Sequence, residues 1–147
     1  MKFLELSKDG GPESSVWAYW LFEIKSVASV ALLRFDGASR DAYHSHAFDC
    51  VSWVLRGELR EHRLLVNRRA VTLGTPHPFY GSISAEYTPS LAPVITRRDH
   101  LHRVDSVRKD GPTWVLTLRG PWADTWREWT RARGYETLTH GRKTVEA

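Results

Sequence analysis

The sequence is poor in cysteine and has no long apolar run. Cys50 is the only cysteine among 147 residues, so no disulfide can form within the chain. This composition is expected of a protein in a reducing cytoplasm. No run of about 18 apolar residues occurs, so we expect no membrane-spanning helix. The first residues, MKFLELSKDGG, have too short an apolar stretch for a signal peptide.

Helical periodicity is also scarce. No segment has an apolar period of 3.6 residues over more than about two turns. Alternating apolar and polar residues, rich in β-branched and aromatic types, predict strands instead. We expect strands at residues 16–24, 26–35, 42–48, 50–57, 58–66, 69–74, 91–96, 100–107 and 113–120. Residues 75–90 contain three prolines and are expected to form a loop, and residues 124–143 a short helix or a strand followed by a tail.

Many short strands separated by turn residues predict an all-β sandwich or barrel. The length is that of a single domain spanning residues 1–147, with a barrel core at about 16–130 and loosely held termini. Hydrophobic residues make up 41% of the chain, which is sufficient for a packed core.

Lysine is scarce, whereas arginine is abundant: 5 residues against 16, with a net charge of +4. A basic balance can favour anionic partners such as nucleic acid, but these side chains are scattered along the chain rather than clustered. The aromatic and basic segment at residues 126–143 is expected to pack on its own barrel or on a second barrel in a homodimer, with nucleic-acid binding and a solvated tail as the alternatives.

Two histidine pairs have a single residue between their members. His44 and His46 form the first pair, and His100 and His102 form the second. On an extended chain, alternate side chains point to the same side, about 7 Å apart along the strand. Two such pairs on separate strands can face each other across a barrel. Three neutral imidazoles with an open position can hold Fe(II), Zn(II), Mn(II), Ni(II) or Cu(II).

The stretch GASRDAYHSHAFDCVSWVLRG resembles the first sequence motif of the cupin superfamily. Gly37, His44, His46 and Gly57 match that motif in order, and PVITRRDHLHRVDS keeps the end of the second motif through His102, without its P-x-G turn. The resemblance covers about residues 26–118. It implies a double-stranded β-helix, or jelly roll, with His44, His46 and His102 as the metal ligands.

Cys50 stands where cupins usually have a glutamate ligand. It could complete the metal site as a thiolate, lie beside a three-histidine iron as in the thiol dioxygenases, or be a small buried residue. Asp49 and His100 are the other candidates for a fourth ligand. The histidines of the predicted metal site and Cys50 are therefore the predicted catalytic residues.

Two further groups of residues bear on the predicted pocket. Arg56, Arg98 and Trp114 lie near the two motifs and are predicted to bind a ligand, through guanidinium groups and a flat apolar ring. Glu58 and Glu61 are expected to face solvent, with a role as general acid or base at the barrel mouth as the alternative.

The resemblance implies a metal-dependent enzyme acting on a small molecule, with a non-haem Fe(II) oxygenase or dioxygenase as the leading hypothesis. The alternatives are a non-catalytic protein that sequesters a small ligand, such as a nucleotide-like signal, and a cupin isomerase or epimerase. The chain is also similar, over nearly its whole length, to small cupin-like proteins of bacteriophages and prophages. That similarity implies the cytoplasm of a bacterial host.

Overall fold

A computed structural model describes residues 1–11, 14–38, 42–67, 69, 79–107, 111–139 and 144–145. This part of the chain forms β1 (Lys2–Lys8), β2 (Val16–Ile24), β3 (Ala28–Phe35), β4 (Tyr43–His44), β5 (Cys50–Arg56), β6 (Leu59–Val66), β7 (Phe79–Tyr87), β8 (Val94–Thr96), β9 (Leu101–Ser106), β10 (Thr113–Arg119), β11 (Thr125–Thr130) and β12 (Gly134–Thr139). Of the strand predicted at 69–74, residues 70–74 lie outside the described residues. No helix within the described ranges is long and apolar enough to cross a membrane.

The strands form two six-stranded sheets. The first sheet has the order β1-β2-β3-β10-β5-β8, and the second has the order β12-β11-β4-β9-β6-β7. The strand pairings within both sheets are antiparallel. The chain therefore folds as an all-β, jelly-roll domain, which confirms the predicted fold class.

Alternation along the strands determines which side chains enter the space between the sheets. Along β3 and β10 every second residue is buried, and β2 has the same period from Val16 to Trp20, before a register shift between Trp20 and Phe22. On β5, Ser52 lines the space between the sheets, whereas Trp53 does not. The inward side chains form one apolar core: Val16, Ala18, Trp20, Ala31, Leu33, Phe35, Val54, Leu59 and Val115. Burying each of the large ones contributes about 1.5–3 kcal/mol to folding.

Two local predictions were wrong, and a third was wrong in one of its two alternatives. Phe79–Tyr87 forms β7 rather than a loop, because its backbone pairs with β6 although most of its side chains are exposed and show no alternation. Lys2–Lys8 forms β1, an edge strand paired with β2, where no strand was predicted. Residues 125–139 form the hairpin of β11 and β12, so the alternative of a short helix does not occur there.

The turn between β5 and β6 requires Gly57. Its φ of +90° is a left-handed conformation that other residues rarely adopt, and an added Cβ would lie 2.9 Å from the Cα of Thr113. This tight turn passes the chain from the first sheet to the second, and the backbone N–H of Glu58, just before β6, donates to Thr113 Oγ1 at 3.2 Å. The inward-facing side chains of β6 begin at Leu59. Glu61 is one of them.

Candidate metal centre

Three histidines meet between the two sheets. His44 lies on β4 and is the register partner of His102 on β9, so the pairing of these two strands sets their side chains next to each other. His46 follows His44 by two residues. The ring centroids are 5.2 Å apart for His44 and His46, 5.3 Å for His44 and His102, and 4.9 Å for His46 and His102. The structure thus brings together the three residues predicted as metal ligands.

The arrangement of these imidazoles suits a divalent metal ion. One ligating nitrogen from each ring lies within 4.8 Å of the other two, and the Nε2 atoms of His46 and His102 are 2.8 Å apart. Metal–nitrogen bonds of about 2.0–2.1 Å require ligand nitrogens about 3 Å apart. Small shifts of the side chains would therefore place all three nitrogens at bonding distance from one ion.

The other ring nitrogens of two histidines have oxygen partners that fix their tautomers. His102 Nδ1 lies 2.5 Å from Glu61 Oε1, and His44 Nδ1 lies 3.3 Å from the carbonyl oxygen of Ala42. An Nδ1–H that donates to oxygen leaves the Nε2 lone pair directed at the cluster. The donor set, three neutral imidazoles, suits Fe(II), Zn(II), Mn(II) or Ni(II).

Glu61 belongs to the site, although its side chain was predicted to face solvent. Its side chain is buried with 4% exposure instead of facing solvent, and its carboxylate also accepts hydrogen bonds from Tyr87 Oη at 2.8 Å and Arg63 Nη2 at 3.1 Å. Burial alone would raise the pKa of Glu61, but the hydrogen bond and charge of His102, helped by Tyr87 and Arg63, lower it to about 2. Alternation along the strand could have indicated this burial, because Glu61 shares a strand face with the apolar residue Leu59.

Tyr87 Oη donates a hydrogen bond to Oε2 of Glu61, whereas His102 contacts Oε1. The pKa of Tyr87 is raised to about 12 by burial and by its hydrogen bond to the ionised Glu61. Tyr87 therefore stays protonated and acts as a hydrogen-bond donor to the carboxylate. The charge on Glu61 is in turn available to the imidazole of His102.

Cys50 lies inside the barrel but outside the three-histidine cluster. It is buried and lines the same cavity as the histidines. Burial raises the pKa of its thiol, an effect that the nearby charge of Arg119 opposes only in part. The thiol form behaves as a small apolar residue, which is one of the three roles considered for Cys50.

The structure does not bring the other two candidates for a fourth ligand to the cluster. Asp49 is exposed, and its carboxylate accepts a hydrogen bond of 2.8 Å from the backbone N–H of Arg98. His100 is half-buried just before β9 begins, and its Nδ1 lies 3.4 Å from the backbone nitrogen of Arg97. Burial, with the positive charge of Arg63, lowers the pKa of His100. Both residues lie just before a strand begins, so strand pairing does not hold either side chain on the inner face.

A cavity of about 340 Å³ extends from the histidines between the sheets. That volume is at the lower end of the range for small-molecule sites. Its wall is mainly apolar, and the polar groups are concentrated near the cluster and at a second region around Arg119. Aromatic side chains near the histidines are Phe48, Trp122 and Trp126.

The residues predicted to bind a ligand lie elsewhere. Trp114 is on the outer face of β10, where it packs against Tyr19 with ring centroids 5.6 Å apart. Arg56 is exposed beside it as its register partner on β5, and Arg98 is exposed in the turn before β9. Alternation explains the position of Trp114, which precedes the inward-facing Val115. Arg56 follows the inward-facing Val54 by two residues, but the pairing of β5 with β10 has a register shift between Trp114 and Val115, so regular alternation ends there.

Comparison with solved structures identifies the architecture. HppE with Fe(II) and the alternative substrate (S)-1-HPP aligns with a TM-score of 0.56 at 12% identity, over 78% of this chain and 55% of that chain. Hydroxypropylphosphonic acid epoxidase from S. wedmorenis, in complex with fosfomycin, aligns with a TM-score of 0.50 at 13% identity, over 71% and 50%. The fold is that of a cupin.

The similarity of this chain to known proteins lies in the fold alone. A cupin-superfamily sugar phosphate isomerase from Silicibacter pomeroyi aligns over 90% of this chain and 82% of its own, at 14% identity and a TM-score of 0.48. No protein-family model and no curated protein matches the sequence. The chain spans about half the length of the first solved structures that it matches, 55% in each case.

Proposed function

We propose that this cupin is a metal-dependent enzyme acting on a small molecule, specifically an oxygenase that uses Fe(II) held by His44, His46 and His102. The observation that carries the proposal is the convergence of three imidazoles at the wall of a cavity between the sheets. Glu61 supports it, since a buried carboxylate bound to Nδ1 is the usual partner of a metal-ligating histidine.

Each part of the site has a role in this proposal. Fe(II), when bound, would supply the capacity to activate O2 and open positions for ligands. The chain's own residues hold and orient the imidazoles, because Glu61 fixes the tautomer of His102 and the carbonyl of Ala42 fixes that of His44. The apolar wall of the cavity excludes water from the space in which a substrate would lie.

Metal analysis of protein purified without a histidine tag tests the proposal. We expect about one iron ion per chain after anaerobic loading with Fe(II), and O2 uptake when candidate substrates are added, measured with an oxygen electrode. Stable binding of zinc with no uptake of O2 by the iron-loaded protein would contradict the oxygenase assignment. Zinc binding of that kind would instead favour an isomerase or a structural site.

The cavity also favours a second candidate function, the sequestration of a small ligand. A mainly apolar cavity of about 340 Å³ can hold a ligand without any reaction. Native mass spectrometry would then show a ligand retained through purification by a protein that contains no iron. The cytoplasm of a bacterial host and a phage origin, both inferred from the sequence, remain predictions.

We propose in addition that the protein is a homodimer formed through the outer face of the first sheet. Cross-strand pairing places large apolar side chains in two rows on this face. The first row is Tyr19, Leu32, Leu116 and Trp53, and the second is Val30, Leu118, Val51 and Ile95. An apolar face of this kind can pack on an identical face across a two-fold axis.

Replacement of Leu116 by lysine is expected to weaken that dimer. Leu116 lies in the middle of the first row, and a buried unpaired charge there should raise the dissociation constant by about 30-fold or more, the scale of a central interface residue. Sedimentation velocity across a concentration series measures this. Ser82→Lys, an exposed position on β7, is the matched control. A wild-type protein that sediments as a single chain at all concentrations would overturn the proposal.

A further inference from the structure

Two cations contribute to the wall of the cavity beside the histidines. Arg119, at the end of β10, is buried with 4% exposure, and Lys25 is exposed at the rim. The guanidinium lies 4.8 Å from the centroid of Phe48, and the ammonium lies 4.6 Å from that of Trp122. These two rings pack on each other at 5.0 Å. The cations therefore flank one aromatic pair.

This region is connected directly to the histidine cluster. The ring of Phe48 also contacts His46, with centroids 5.0 Å apart. One aromatic side chain thus touches both the guanidinium of Arg119 and a predicted metal ligand. A small molecule that reaches the histidines along Phe48 has its other end close to Arg119.

The guanidinium of Arg119 has one donor that the described residues leave without an acceptor. Its Nη1 and Nη2 donate to the carboxylate of Asp9 at 3.2 and 2.6 Å, whereas its buried Nε–H has no hydrogen-bond partner within the described part of the chain. Native proteins rarely leave such a donor unpaired.

The charge on Arg119 persists in spite of its burial. Burial would lower the pKa of its guanidinium, but Asp9, with the neighbouring Cys50 and Glu23, raises it overall. Glu23 is buried outside the lining of the cavity, so it is not itself presented to a ligand. The cavity-lining charges at this end are those of Asp9, Lys25 and Arg119.

We propose that this end of the cavity is a carboxylate subsite, and that the ligand of this cupin is a small organic acid with a flat apolar body. Arg119 and Lys25 are two cations in the lining of this cavity, and their positive charges attract a carboxylate. The aromatic pair offers a flat wall for the body of the acid. Only the placement of the rest of the ligand beside the histidines rests on the proposed function.

Asp9 opposes the binding of a carboxylate in this subsite. Its carboxylate occupies the two terminal nitrogens of the same guanidinium that the ligand approaches, so it competes with the ligand for Arg119 and repels its charge. Removal of the negative charge of Asp9 should therefore strengthen binding. Removal of a positive charge should weaken it.

Calorimetric titration with benzoate and with its neutral analogue benzamide tests the proposal. Benzoate should bind at least about tenfold more tightly than benzamide, the effect expected of charge-assisted hydrogen bonds. Lys25→Gln should weaken benzoate binding about three- to tenfold and leave benzamide binding unchanged. Lys8→Gln is the matched control, because Lys8 also lies over a tryptophan, Trp17, but does not line the cavity. Equal binding of the two compounds, or no binding of benzoate, would overturn the subsite.

Two further variants should change benzoate binding in opposite directions. Asp9→Asn should tighten benzoate binding several-fold, and Arg119→Gln should abolish the preference for benzoate over benzamide. Circular dichroism checks that each variant is folded. Because Arg119 is buried, the Arg119→Gln result is interpreted only if that variant is folded. Lys25 is exposed and Asp9 partly exposed, so their variants are sufficient to test the proposal without it. Weaker benzoate binding by Asp9→Asn would contradict the proposal.

The titrations are carried out on both metal-free and Fe(II)-loaded protein. A charge preference that persists in the metal-free protein supports the subsite even if the oxygenase assignment fails. A protein that binds iron but does not distinguish benzoate from benzamide refutes the subsite and leaves the metal site standing. The two proposals can therefore fail separately.

Discussion

Replacement of His46 by alanine should abolish stoichiometric metal binding while the β-rich circular dichroism spectrum is retained. His46 supplies one of three nitrogens that meet at the cluster, and its Nε2 is 2.8 Å from that of His102. The loss of one direct ligand should reduce metal affinity by more than the 10- to 100-fold typical of an outer-sphere partner. His46 is half-buried and follows the end of β4, so the fold does not depend on its side chain.

The measurement is the metal content of purified protein after dialysis against a weak chelator, with the spectrum recorded on the same sample. His62→Ala is the matched control, since His62 lies on the outer side of the second sheet, where it contacts Ser84 and Asp105. The control should retain wild-type metal content. If the His46 variant also retains it, the ligand assignment is wrong.

Replacement of Glu61 by glutamine should lower metal affinity about 10- to 100-fold without removing the site. Glutamine keeps the size of the side chain and an oxygen that can accept from His102 Nδ1. It lacks the negative charge that makes the imidazole a better donor to a metal. The change is measured by competition titration with a chelator of known affinity.

Two comparisons distinguish this effect from general destabilisation. Glu86→Gln, on the neighbouring strand β7, removes a carboxylate that pairs with Arg60 at the surface, and it should leave metal affinity unchanged. Glu61→Ala would leave Tyr87 and His102 with unpaired buried donors and should cost about 1–3 kcal/mol of unfolding free energy. Unchanged metal affinity in Glu61→Gln would show that the carboxylate has no influence on the cluster.

Much of the fold could be predicted from local patterns. β2 was predicted with its observed bounds, Val16–Ile24, because its β-branched and aromatic residues continue without a turn residue. β7 was missed because its exposed side chains lack a pattern, and it is held in place by backbone pairing with β6. Backbone pairing of this kind involves every residue type and leaves little trace in the sequence.

The candidate site was predicted unevenly for a related reason. His44 and His46 could be paired from a spacing of two residues, and the motif resemblance added His102. Alternation states that two residues share a face of a strand, but not which face lies inside. Glu61 was therefore assigned to solvent, and Trp114 to the pocket, although each lies on the opposite side of its sheet.

The sequence by itself determined an all-β chain and the local spacing of its histidines, since both follow from the direction of neighbouring side chains along an extended backbone. Only the tertiary structure decided that His102 meets His44 across β4 and β9, that Glu61 lies buried behind it, and that Arg119 opens onto the same cavity as the histidines. These residues lie far apart in the chain. Their meeting depends on sheet order and register, which are set by the packing of both sheets around the shared core.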